Sequence, residues 1–239
     1  MRAVRFIRTL LVLTVIAYGG VLLYGYMRAH PQDLPWIPLD LTQPVGAFTG
    51  RKLAGIDAKG CRALLDQAGV RFAAQPPRGS GQCVFRGGVA LRSGRALEID
   101  YAPRGLATSC PVAAALALWE WHVVQPAALK HFGKKVARID HLGSYNCRRI
   151  YGQSEGAWSE HATANAVDVA GFRLEGGQRI SVLNDWDGTP AERAFLRDVR
   201  SGACDLFATV LSPDYNAAHR DHLHLDQAAR GEMGWRGCR

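Results

Sequence analysis

Two stretches decide how this chain reads: residues 219–226, HRDHLHLD, and residues 166–172, AVDVAGF. Side chains alternate across a strand, so HLHL puts His222 and His224 on one face and Leu223 and Leu225 on the other. The leucines are the buried side, and the imidazoles point together into a groove or solvent. AVDVAGF repeats the pattern: Asp168 shares a face with Ala166 and Ala170, while Val167 and Val169 face the core. If the two strands are neighbours, Asp168 and the histidine pair meet across the ladder. His161 lies seven residues before Asp168, a spacing that puts them on opposite faces of one straight strand. The intervening ATANA must therefore bend for His161 to reach the same place.

Imidazole is the commonest metal ligand and the usual acid or base near neutral pH. Two His and one Asp converging, with a fourth position left for water, is the catalytic type of zinc site; structural sites are closed by four ligands and usually rich in thiolate. Periodicity alone does not say whether His222 or His224 touches metal. The same residues would also suit a merely polar strand surface. His30, His122, His131 and His141 are scattered.

Around these strands the pattern is mixed. AKGCRALLDQAG (58–69) reads as a short helix ended by Gly69, and CVFRGGVALRSGRALEIDYAP (83–103) as a hairpin. Residues 110–133 read as a helix with Pro111 near its start, a kink at Pro126 and Gly133 at its end. VARIDHLGSYNCRRI (136–150) reads as extended, and 159–186 as strand, Gly-Gly turn, strand. Residues 189–211 read as a helix that opens on a capping box, Thr189 with Glu192, with Pro190 at the first helical position. Strands and helices do not alternate regularly. The expected fold is α+β, an antiparallel central sheet flanked by helices, rather than a doubly wound one.

The chain has 239 residues, 48% of them hydrophobic, enough for one good-sized domain with appendages. The N-terminal segment bears on the compartment. Arg2, Arg5 and Arg8 precede Leu10–Met27, eighteen residues without a charge, close to the ~20 needed to cross a bilayer. The alternative is a cleaved signal peptide. The run is longer than the usual apolar region of about 7–15 residues, and YMRAHPQ offers no small-residue cleavage site, so an uncleaved anchor is expected. The arginines keep the N-terminus in the cytoplasm and send the body across the membrane. The expected division is 1–28 cytoplasmic N-terminus and transmembrane anchor, 29–49 proline-rich linker and 50–239 globular domain. The linker's Pro31, Pro35, Pro38 and Pro44 suggest a stiff, extended spacer.

Six cysteines and no CxxC pair fit disulfides in an exported domain, free buried thiols being the alternative. Pairing nearest neighbours in sequence predicts Cys61–Cys83, Cys110–Cys147 and Cys204–Cys238. The formal net charge is +8, of which residues 1–44 contribute +2 and the body +6. A basic body suits an anionic partner. No basic run interleaved with stacking aromatics points to nucleic acid.

SEHATANAVD (159–168) resembles the S-x-H-x-x-G-x-A-x-D motif of the zinc D-Ala-D-Ala and lysostaphin-type metallopeptidases, which share a fold with the hedgehog signalling domain. HRDHLH (219–224) resembles the H-x-x-H-x-H motif of that group, nearest the murein endopeptidase branch. GSYNCRR, WSEHATANAVDVAGF, FLRDVR, VLSPDYNAAHRDHLHLD and a C-terminal CR resemble the bacterial extensin-like C-terminal domain family over residues 55–239. The resemblance implies His161, Asp168 and His224 as zinc ligands. It implies His222 beside the zinc as acid–base group or transition-state stabiliser, with His219 auxiliary. Arg148 would hold a substrate carboxylate. The chain departs from the pattern at Ala164, where the group often has Gly and where Ala disfavours a positive φ. No Glu stands two or three residues before His224 to act as base, and Glu160 is a poor substitute because adjacent residues usually diverge.

The expected function is a zinc-dependent peptidoglycan hydrolase, anchored in the bacterial inner membrane with its domain in the periplasm, acting on peptide stems or crosslinks. A non-catalytic peptidoglycan- or zinc-binding module of the same fold is the second reading. A metal-dependent phosphodiesterase is a third, but such enzymes usually recruit more carboxylates for two metals.

Overall fold

The computed structural model of the chain describes residues 2–231 and 235–239. In chain order it runs α1 (Arg2–Ala29), α2 (Thr49–Gly55), α3 (Ala58–Gln67), β1 (Val70–Ala74), β2 (Val89–Arg95), β3 (Asp100–Ala102), β4 (Ala107–Thr108) and α4 (Cys110–Trp119). One π-helical turn, Glu120–Val124, leads into α5 (Gln125–Phe132) and β5 (Val136–Gly143). Then follow β6 (Ala166–Leu174), β7 (Arg179–Ser181), α6 (Val182–Asp185), α7 (Pro190–Ala203), β8 (Thr209–Leu211), β9 (Leu223–Asp226) and β10 (Gly237–Cys238).

The main sheet has the order β10-β8-β9-β6-β5-β3, with β7 also paired to β6. Its centre, β8-β9-β6-β5, is antiparallel as expected, but both edges add a parallel strand, β10 on β8 and β3 on β5. A smaller sheet, β1-β2-β4, is antiparallel. The fold is therefore α+β with two sheets.

Alternation sets which face is buried. Val167 and Val169 of β6 and Leu223 and Leu225 of β9 are fully buried. Each such side chain is worth about 1.5–3 kcal/mol when removed from water. Helix α7 turns Phe195, Leu196, Val199 and Ala203 to the same core, the i, i+4, i+8 stripe of a helix lying on a sheet. Phe172 of β6 packs between Trp119, tilted at 5.8 Å between centroids, and Phe195, edge-on at 5.1 Å, and Trp119 Nε1 donates to Val199 O at 2.9 Å. The capping box at Thr189 and Glu192 forms, but the helix expected over 189–211 ends at Ala203, and Thr209–Leu211 is strand β8.

Three expectations need correction. The 83–103 segment is not one hairpin: β2 pairs with β1 and β4, while β3 joins the main sheet beside β5. Leu97 and Ile99 are buried between the sheets, and that burial overrides the local turn signals. Pro126 does not simply kink a helix: the chain widens into the π turn before it, where the missing proline amide can be accommodated. The disulfides join Cys61 to Cys110, Cys83 to Cys147 and Cys204 to Cys238, so only the last follows sequence order. Helix α3 packs on α4, which brings Cys61 to Cys110 and leaves Cys83 for the loop after β5.

The proline-rich stretch does not stand off the domain along its whole length. Leu39 and Leu41 join the core, and Gln32 is buried with its amide donating to Pro38 O at 3.1 Å. Helix α1 buries no residue, and its most apolar window has a mean hydropathy of 2.1. It is long and apolar enough to cross a membrane, a test a signal sequence also passes. Together with the three disulfides it suggests a secreted or envelope protein.

Candidate metal centre

Strands β6 and β9 are neighbours, and Asp168 lies directly opposite His224 in their ladder. His161 arrives from the bend the sequence required. Residues Glu160–Thr163 form a 3₁₀ turn, and Ala164 takes a left-handed conformation, φ 55°. An alanine there costs about 1–2 kcal/mol. Its carbonyl is gripped by three donors: Ser109 N at 2.8 Å, Thr108 Oγ1 at 2.9 Å and Ser144 Oγ at 3.2 Å. These bonds hold the conformation that glycine would take freely.

Three ligand-type atoms then converge. His161 Nε2 is 3.2 Å from Asp168 Oδ1 and 3.1 Å from His224 Nδ1, and His224 Nδ1 is 3.0 Å from Asp168 Oδ1. The outer nitrogens fix the tautomers. His161 Nδ1 lies 2.7 Å from the Ser144 carbonyl, which can only accept, so Nδ1 carries the proton and Nε2 turns a lone pair inward. His224 Nε2 lies 3.1 Å from Asp226 Oδ2 and donates to it, leaving its Nδ1 lone pair inward. Two lone pairs and a carboxylate oxygen facing one another repel unless a cation sits among them. Tetrahedral ligands bound at about 2.0–2.1 Å stand about 3.3–3.4 Å apart, close to this triangle. His161, Asp168 and His224 therefore fit a single metal ion, and second partners such as Ser144 O and Asp226 are what orient imidazole ligands.

The electrostatics agree. Burial works against the charge of Asp168, but when a proton stands in for a metal at the inward nitrogens, hydrogen bonds from His161 and His224 outweigh burial and hold the carboxyl well below the usual range. Burial also works against charge on His224, yet the contacts with Asp168 and Asp226 raise it to about 9. A proton thus competes for the place a metal would take.

Two further imidazoles stand beside the triangle. His222 precedes β9 but keeps the same side, with Nδ1 2.8 Å from Asp221 Oδ1 and Nε2 3.5 Å from Asp168 Oδ1. His219 Nδ1 donates to Asn216 Oδ1 at 2.8 Å, which leaves its Nε2 as an acceptor. Burial, then repulsion from His222 and His224, lowers His219 to about 4, so it is neutral at physiological pH. Asn216 Nδ2 also donates to Tyr151 Oη at 3.1 Å.

His161, Asp168, His219, His222 and His224 line a cleft of about 560 Å³, which also takes in Arg148, Ile150, Tyr151, Trp158, Arg230 and Arg239. Arg148 follows the disulfide-tethered Cys147, and among the described residues its side chain forms no ion pair. Glu160 reaches the cleft too, although it neighbours His161. Burial raises its pKa, partly offset by Asn165 Nδ2, which donates to Glu160 Oε2 at 2.7 Å. Every residue singled out from the sequence, His161, Asp168, His219, His222, His224 and Arg148, lines this one cleft.

Sequence reasoning missed Asp226, Asn216 and the aromatic rim. Asp226 was within reach of it, since the alternation that pairs His222 with His224 extends two residues further.

The family model described as extensin-like protein C-terminus matches residues 59–239. No curated protein and no solved structure matches the chain.

Proposed function

The chain belongs to the extensin-like protein C-terminus family, and on that premise we propose that it is a membrane-anchored, zinc-dependent hydrolase of the peptide part of bacterial peptidoglycan. One observation carries the reading: the inward lone pairs of His161 Nε2 and His224 Nδ1 meet Asp168 Oδ1 in an open cleft. Two imidazoles and one carboxylate with room for a water are the donor set of catalytic zinc.

Zinc, when bound there, supplies Lewis acidity, acidifying a water and polarising a carbonyl. The chain's own groups do the rest. His219, neutral and oriented by Asn216, presents Nε2 as proton acceptor. His222, fixed through Nδ1 by Asp221, places Nε2 beside Asp168, where it holds the developing oxyanion or protonates the leaving amine. Arg148, which has no carboxylate partner among the described residues, takes a substrate carboxylate. Ile150, Tyr151 and Trp158 give the cleft an apolar rim that excludes water once substrate is in place. The +6 body suits a polymer acidic through its stem carboxylates. Helix α1 acts as an uncleaved anchor, because YMRAHPQ offers no small-residue cleavage site.

A non-catalytic module of the same fold draws support from Glu160, a carboxylate beside the first ligand whose Oε2 is bound by Asn165. Incubating purified sacculi with the zinc-loaded protein, with and without chelator, and analysing released muropeptides by mass spectrometry separates the two. Chelator-sensitive release of peptide-cleaved muropeptides is expected. Stoichiometric zinc without release would leave the binding module, and protein purified metal-replete but zinc-free would end the zinc-dependent hydrolase reading.

A further inference from the structure

At the far end of the same sheet face lies a row of arginines that the cleft does not use. Arg138 of β5 stands directly opposite Arg173 of β6, and Arg173 directly opposite Arg179 of β7. Like charges opposite one another destabilise a sheet. All three turn to one carboxylate, Asp140: Nε of Arg179 at 3.0 Å, of Arg173 at 3.5 Å and of Arg138 at 3.7 Å. Only Arg179 makes a hydrogen bond to it. The Nε atoms of Arg138 and Arg173 are buried and have no hydrogen-bond acceptor among the described residues, which leaves them available to an incoming one. Asp100 neighbours Arg138 across β3 and β5, but its carboxylate accepts from Ser93 Oγ. The row keeps a net positive charge, and its side chains are 39–45% exposed, open to an incoming oxyanion.

Its place relative to the metal centre follows from a bulge. The β5–β6 register steps from Asp140 opposite Gly171 to His141 opposite Val169, so Ala170 is an extra residue. That residue shifts the alternation and puts Arg173 on the face of Asp168 despite their odd spacing. Five residues of strand separate them, about 16 Å. Guanidinium is suited to bidentate binding of carboxylate.

We propose that Arg138, Arg173 and Arg179 form an anchoring site for carboxylate groups of a peptide-bearing polymer that lies along the sheet's open face, with its reacting part in the cleft. The identity of that polymer as peptidoglycan rests on the function proposed above; the arginine site itself does not.

The test is retention of the full chain in detergent on purified sacculi, with chelator present so that nothing is cut. A second arm uses sacculi whose carboxyl groups have been amidated. Arg138→Gln/Arg173→Gln/Arg179→Gln is expected to lower retention on native sacculi roughly tenfold while leaving zinc content unchanged. On amidated sacculi the wild type should fall to the level of the triple variant. Asp140→Asn, which keeps the arginines and frees them, should raise retention about twofold to threefold. Wild-type retention by the triple variant, a deficit that persists unchanged on amidated sacculi, or no gain from Asp140→Asn would each overturn the proposal. Failure of the hydrolase reading looks different: no muropeptides appear without chelator, yet retention still depends on the arginines.

Discussion

Asp168, mostly buried on the open face of β6, and Glu120, buried in the π turn of the helical layer, are both carboxylates that burial pushes toward the neutral form, yet they end in opposite states. Asp168 is ringed by His161 and His224, and in metal-free protein a proton held at their inward nitrogens gives hydrogen bonds that overcome desolvation and keep it ionised. Glu120 receives only backbone amides, from Glu98 at 2.5 Å and Ile99 at 3.2 Å, and its Oε2 has no partner. Burial therefore wins and lifts its pKa to about 7. The difference teaches what a cation site needs here. Removing a carboxylate from water tends to neutralise it; a cation held between it and a set of oriented imidazoles, a proton or a metal ion, keeps it charged.

The sharpest way to break that comparison is to remove the charge at Asp168 while keeping its shape. Asp168→Asn should leave the chain with far less than one zinc per molecule and no hydrolysis. His161→Ala and His224→Ala should do the same. His222→Ala is expected to keep near-stoichiometric zinc and lose activity by ~10²–10⁴, the scale of a positioned acid–base group or oxyanion donor. Elemental analysis of the purified variants decides it. Zinc lost with His222→Ala but kept with His224→Ala would invert the two roles.

A smaller effect comes from the proton that competes with metal. In metal-free protein His224 is raised to about 9, above its ordinary 6.5, by Asp168 and Asp226. A base whose folded pKa is raised contributes stability that is complete below the unfolded value and lost as pH rises through the folded one. The loss between pH 6.5 and 9 should be on the order of 3 kcal/mol. Thermal unfolding with chelator should show the midpoint falling over that window, while zinc-loaded protein, whose centre holds the ion instead, stays level. A flat profile for the metal-free protein would mean that His224 is not held between the two carboxylates.

The site was more legible in the sequence than the frame around it. Strand alternation gave Asp168 and the histidines one face, because a two-residue period survives any tertiary context that buries the other side. The need for a bend at ATANA was legible, but not that Ala164 would adopt a positive φ. The three donors that hold its carbonyl come from Thr108, Ser109 and Ser144, more than twenty residues away in two cases. The Ser144 carbonyl that orients His161 carries no side-chain signature at all. Cys61 and Cys110 pair because α3 packs on α4, a spatial fact that sequence order misrepresents. The π turn inserts one residue into a helical period and so hides the burial of Glu120 from pattern reading.

That residue supplies the smallest and most discriminating test. Glu120→Gln keeps an oxygen to accept from the amides of Glu98 and Ile99 and removes the ability to ionise. A carboxyl whose folded pKa is raised is harder to ionise folded than unfolded. The wild type therefore loses stability as pH rises above the ordinary 4.5, and the loss is complete above about 7. The glutamine variant escapes that loss. It should match the wild type near pH 4.5 and be more stable by about 1–3 kcal/mol at pH 8. Urea unfolding of metal-loaded protein at both pH values measures the difference without interference from His224. At Asp168 the isosteric amide takes away a charge the fold uses, so Asp168→Asn should destabilise the metal-free protein at neutral pH while Glu120→Gln stabilises it. Equal and like-signed effects of the two amides at pH 8 would show that burial alone, and not the surrounding imidazoles, governs both carboxylates.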